Sequence, residues 1–126
     1  APYLGEGDLT APIEQAGGLR TWRPPEQVTQ GQGLLAPGNL TRMWETVRLL
    51  PQARLQRRVF LGYGSGDRFG GGSRLLQGVL PPGQWVVTEG GHDWETWRRV
   101  LRRLLEGEAG ERLRGVDQAE RVRPPG

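Results

Sequence analysis

Two side chains in this sequence have the right types for proton-transfer chemistry. Asp67 lies in "GYGSGDRF", and His92, the one histidine of the chain, lies in "TEGGHDW". A carboxylate that accepts the imidazole Nδ1–H fixes the tautomer and stabilises the imidazolium. Nε2 is then free to take a proton from a hydroxyl nucleophile. Each residue alone has a plainer explanation. An aspartate in a glycine-rich turn commonly bonds local amides, and a lone histidine is more often structural than catalytic. The pair carries more information than either member, because of the elements that must hold it.

Those elements alternate. Val59, Phe60 and Leu61 form a short apolar run bounded by glycines, which suits a buried parallel strand. The Asp67 loop follows. "SRLLQGVLPPG" predicts a helix from Ser73, with Leu75, Leu76, Val79 and Leu80 inward and Pro81, Pro82 and Gly83 closing it. "QWVVT" predicts a second buried strand, and "GGH" the turn after it. Trp94, Trp97, Leu101, Leu104 and Leu105 then share an arc of about 100° on a helix, with Asp93 as its N-cap. Strand, helix, strand, helix implies parallel pairing through crossovers, hence an α/β class. In open parallel sheets, functional groups gather beyond the carboxyl ends of the strands. Asp67 and His92 occupy two such ends, and neighbouring strands lie about 5 Å apart. Their loops are therefore expected to meet.

Upstream the pattern is less regular. "DLTAPIEQAGG" predicts a short helix capped by Asp8 or Thr10, with Pro12 in its first turn, Leu9, Ile13 and Ala16 on one face, and Gly17-Gly18 stopping it. Residues 23–39 are broken by proline and glycine and predict a loop long enough to act as a local lid. Asn39 is expected to cap the helix "LTRMWETVRLL", where Leu40, Met43, Trp44, Val47 and Leu50 recur at helical spacing and Pro51 ends the run. Residues 107–126 are polar with weak periodicity and predict a frayed or disordered tail.

The order acid then base matches the chain order Ser, then Asp or Glu, then His of α/β-hydrolases. From Val59 to about Leu105 the sequence resembles the closing portion of α/β-hydrolase-fold esterases, in particular the esterase D and enterochelin-esterase-like group. There a strand leads to an acid in a G-x-x-D loop, and a second strand leads to "GGHDW" or a close variant. "APYLG" at the start is a weaker likeness, to the end of the strand after the nucleophile helix. The resemblance implies a partial α/β-hydrolase fold over residues 1–106, made of the last parallel strands with flanking helices. It implies Asp67 as triad acid, His92 as triad base, a small-molecule ester as substrate, and no cofactor. Trp94 and Tyr3 become candidates for lining the substrate pocket; the alternatives are core packing for Trp94 and a surface position for Tyr3.

The nucleophile of that family sits in G-x-S-x-G, and this sequence has no such motif. Its serines are Ser65 and Ser73. Ser65 precedes the acid by two positions, on the wrong loop, and Ser73 is expected to cap a helix. The reading is therefore a C-terminal part of a serine hydrolase, inactive alone, that pairs with its missing N-terminal part or self-associates. The alternatives are a non-catalytic interaction module on the same scaffold and an arginine-rich nucleic-acid binder.

Composition narrows the rest. The sequence has 126 residues, 35% of them hydrophobic, with Gly 21 and Pro 10. That allows one domain with a modest core and many turns. All 17 basic residues are arginine, and 14 acidic residues are interleaved among them. No stripe of arginine and aromatics recurs along one element, so no nucleic-acid partner is expected. Zero cysteines exclude disulfides, thiolate metal sites and a cysteine nucleophile. One histidine argues against a zinc site. No apolar run reaches the length of a membrane span, so no membrane partner is expected.

Overall fold

The computed structural model describes residues 4–5, 7–28, 31–33, 36–52 and 57–121. Their order is α1 (Gly7–Gln15), α2 (Pro37–Val47), a single 3-10 turn (Leu50–Gln52), β1 (Leu61–Gly64), α3 (Gly70–Gln77), β2 (Trp85–Thr88), α4 (Trp94–Glu106) and α5 (Glu108–Arg121). β1 and β2 pair in parallel, with Leu61 opposite Trp85 and Gly64 opposite Thr88. The class is α/β, with helices around a two-stranded parallel sheet.

Alternation along the strands divides the molecule into two sides. Leu61 and Tyr63, with Trp85 and Val87 beside them, face a core of Ile13, Leu19, Trp22, Trp44, Leu76 and Val79. Gly62 faces α4. A Cβ on Gly62 would stand 2.0 Å from Val100 Cγ1, so the helix lies directly on the strand where the side chain is missing. Buried polar groups tie the layers together. The Trp44 indole donates to the Leu4 carbonyl at 3.1 Å, and the Tyr63 hydroxyl donates to Gln77 Oε1 at 2.6 Å.

Element boundaries depart from the sequence pattern in informative ways. β1 starts at Leu61 rather than Val59. The Val59 carbonyl instead accepts the Gln84 amide side chain at 2.7 Å, so the start of the apolar run is held by a side chain and not by a strand neighbour. α3 begins at Gly70, three residues before Ser73. The Gly70 amide bonds the Asp67 carbonyl at 2.8 Å, so the acid loop turns straight into the helix. Ser73 is therefore an interior residue, fully buried, and not a cap. Val79 and Leu80 lie beyond the helix end but remain buried, as expected of core residues.

α2 starts at Pro37. Proline suits a first helical position, because its missing N–H would have no partner there. Asn39 lies inside the helix and does not cap it. Its side chain donates to the Gly31 and Gly33 carbonyls at 3.0 and 2.8 Å, tying the preceding loop to the helix. In α1, Asp8 and Thr10 are likewise within the helix, and Pro12 comes midway along it rather than in the first turn. Gly17 and Gly18 end α1 as expected. Both have positive φ, and the Gly18 amide returns to the Ile13 carbonyl at 2.9 Å. This is the left-handed termination that glycine permits.

Where a frayed or disordered tail is expected, α5 runs through Arg121. It packs on α4, buries Ala109 and stacks the Arg112 guanidinium over the Phe60 ring at 5.3 Å. Among the described residues, no helix is long and apolar enough to cross a membrane.

Candidate active site

The loops after β1 and β2 continue the strand pairing beyond the sheet. The Ser65 amide bonds the Thr88 carbonyl at 2.8 Å, and the Gly66 amide bonds the Gly90 carbonyl at 2.9 Å. Gly64 makes this approach possible, since a Cβ there would fall 2.3 Å from the Gly90 carbonyl oxygen. Gly90 itself has φ +132, a conformation that favours glycine. Asp67 and His92 follow directly on this zipped pair of loops.

The two side chains meet. His92 Nδ1 lies 3.1 Å from Asp67 Oδ1 and 3.0 Å from Oδ2. An ionised carboxylate has no proton to give, so the contact requires Nδ1–H as donor. That leaves Nε2 as the unprotonated nitrogen of a neutral ring. Asp67 Oδ1 also accepts the Phe69 amide at 2.8 Å, which fixes the carboxylate by a local turn bond. The plain structural reading of Asp67 is thus correct as well: it organises its own loop and reaches the imidazole from there. The Asp67 side chain is fully buried, whereas His92 remains 25% exposed. The acid is withdrawn from water while the imidazole reaches solvent.

Two aromatic rings clasp the imidazole edge-on. Phe69 and Trp97 each stand with ring centroids 4.9 Å from that of His92. Neither is marked by the sequence as a site residue. Phe69 sits two positions after the acid, and Trp97 one turn into α4. The expected neighbour, Trp94, lies one ring further out. It is 69% exposed and touches Trp97 at 6.3 Å between centroids. Tyr3 lies outside the described residues.

Asp93 caps α4 as the sequence predicts. Its Oδ1 accepts the Thr96 amide at 2.8 Å, and its Oδ2 accepts the Thr96 hydroxyl at 2.9 Å. The Gly91 amide adds a third bond at 3.2 Å. These donors hold the Asp93 carboxyl below the usual carboxylate range, with the Thr96 amide the largest cause. Asp93 therefore serves as a hinge pin, fixing the Gly91-His92 segment to the helix start.

Among the described residues, the hydrogen bonds of His92 go to Asp67 alone. Ser65 is exposed on the turn before Asp67, and the Ser73 hydroxyl is buried within α3 without a partner among the described residues. Neither hydroxyl is bonded to the imidazole. No group of three or more metal-ligating side chains occurs among the described residues. No family profile, curated protein or solved structure matches this chain.

Proposed function

We propose that Asp67 and His92 are the acid and base of a serine-hydrolase site that cleaves a small carboxylic ester, within the closing part of an α/β-hydrolase fold. The observation that carries this reading is the Asp67–His92 contact at the ends of two parallel strands. Support also comes from the asymmetry of the pair, a buried carboxylate and a part-exposed imidazole, and from the likeness of residues 59–105 to esterases D.

In this reading His92 takes the proton from a serine hydroxyl as that oxygen attacks the ester carbonyl. The imidazolium then protonates the departing alkoxide, leaving an acyl-enzyme. Water attacks next, giving its proton to His92, and the serine leaves with that proton restored. Asp67 holds the imidazole in the Nδ1–H tautomer and offsets the positive charge that forms. Phe69 and Trp97 restrict the ring's rotation. The serine comes from sequence outside these 126 residues, because neither Ser65 nor Ser73 meets His92 and G-x-S-x-G does not occur here.

The test is an activated short-chain ester offered both to this chain and to the longest natural reading frame that contains it. The longer protein is expected to turn over, and to lose turnover on His92→Ala and on replacement of a G-x-S-x-G serine. The 126-residue chain is expected to show none. Sustained turnover by the chain alone that survives Ser65→Ala would overturn the external nucleophile. A longer protein whose esterase activity ignores His92→Ala would overturn the base assignment.

A non-catalytic interaction module is the second reading. One observation favours it: Trp94, Leu101 and Leu105 lie exposed on α4. A natural reading frame without any G-x-S-x-G motif would select it.

A further inference from the structure

A groove of about 500 Å³ opens beside the β2 end of the sheet, lined by Thr88, Glu89, Gly90, Arg99 and Arg103. Arg99 and Arg103 are one helical turn apart on the same face of α4, and both line the groove. Arg99 is already oriented. Its Nη2 donates to the Glu89 carbonyl at 2.9 Å and approaches the Thr96 hydroxyl at 3.4 Å. Gly90 makes room for it, since a Cβ there would come within 2.8 Å of Arg99 Nη2. Thr88, 4% exposed, lines the same groove. Its Oγ1 is buried and has no hydrogen-bond partner among the described residues. A buried hydroxyl without a partner is costly, and a bound acceptor at the groove would remove that cost.

Glu89 also lines the groove, yet neither arginine forms an ion pair with its carboxylate. Two guanidinium groups against one carboxylate leave the groove net positive. Guanidinium forks fit the paired oxygens of carboxylates and phosphates, and bidentate bonds of this kind are the strong ones.

We propose that this groove binds a small oxyanion, a carboxylate or phosphate group, held by Arg99 and Arg103 with the Thr88 hydroxyl donating as well. The site stands apart from the Asp67–His92 pair and does not depend on the missing hydroxyl. It shares the Thr88–Gly90 backbone that leads to His92, so a bound anion stiffens the loop carrying the imidazole.

The experiment is a titration of the chain with inorganic phosphate and, separately, with acetate, read on the backbone amide signals of Thr88 to His92. Saturable shifts are expected, at lower concentration for phosphate, which offers more acceptors. Arg103→Gln is an exposed change that leaves the amide spectrum folded, and it is expected to weaken phosphate about tenfold or more. Thr88→Val is expected to weaken it as well, and Glu89→Gln to tighten it by removing the opposing charge. His92→Ala is expected to leave the affinity unchanged, so the groove and the dyad are tested independently. Shifts that stay linear without saturation, or affinities indifferent to both Arg103→Gln and Glu89→Gln, would overturn the site.

Discussion

At the residue scale the site depends on one hydrogen bond doing two things. It orients the imidazole, and it decides which ring nitrogen carries the proton. Asp67→Asn keeps the shape but offers an amide that can donate to Nδ1, reversing the tautomer. Under the proposed hydrolase function, kcat of the longer reading frame is expected to fall about 10⁴-fold. In the chain itself the ring nitrogen shifts of His92 are expected to move away from the Nδ1–H pattern. An unchanged nitrogen spectrum would count against the contact. Asp93 acts at the same scale through stability. Its carboxyl is held below its ordinary value by the Thr96 amide and hydroxyl and the Gly91 amide. Folding therefore lowers its pKa, and the sign follows. The stabilisation is present above the unfolded carboxylate range and is lost as pH falls through the folded value. Asp93→Ala is expected to lower the melting temperature at neutral pH and to lose that difference in acid. Parallel melting curves across the whole pH range would contradict it.

At the scale of elements, glycine is the means by which strands and helices come close enough to build the site. Gly62 lets α4 sit on β1, and Gly64 lets the loops that carry Asp67 and His92 share hydrogen bonds. Gly62→Ala is expected to destabilise the chain by about 1–3 kcal/mol through overpacking against Val100. Val100→Ala costs stability on its own by leaving a cavity. Combined with Gly62→Ala, it is expected to cost less than the sum of the two, because the added methyl fills the vacated space. Denaturant melts of the four members of this cycle measure the coupling. Strict additivity would mean that α4 does not rest on Gly62. Gly64→Ala meets backbone rather than a side chain, so no second substitution of that kind relieves it.

At the scale of the whole molecule, the two faces of the sheet are covered unequally. The α1–α3 side carries nearly all the buried hydrophobic cluster. α4 buries Thr96 and Val100 beneath it and leaves Trp94, Leu101 and Leu105 at 69%, 57% and 43% exposure. The apolar arc foreseen for α4 is thus split, one edge on the sheet and the other open to solvent. Exposed apolar stripes of this kind favour association. The chain is expected to sediment as a concentration-dependent mixture, and Leu101→Glu with Leu105→Glu to shift it towards monomer. A chain that is monomeric at all concentrations would show that the stripe is too small to hold a partner.

Short-range pattern in the sequence was sufficient for the elements whose signals are local. The Asp93 cap, the Gly17-Gly18 stop and the β2 strand all follow from side-chain chemistry within a few residues, and all three stand where the pattern puts them. The inward face of α4 does not, because Thr96 and Val100 are buried in place of the arc of Trp94, Leu101 and Leu105. The α/β class and the meeting of Asp67 with His92 were legible too, because parallel strands have few ways to pair. Boundaries decided by distant partners were not. Ser73 looks like a cap until α3 is seen to begin at Gly70, and Asn39 looks like one until its amide is seen bonding Gly31 and Gly33. Which aromatic ring stands beside the imidazole was likewise out of reach. Trp94 is nearer in sequence, but the turn entering α4 sends it outward and brings Trp97 and Phe69 onto the ring. Such contacts depend on how a loop leaves a strand and how a helix settles on a sheet, and those are set by packing across the chain rather than by the spacing of residues along it.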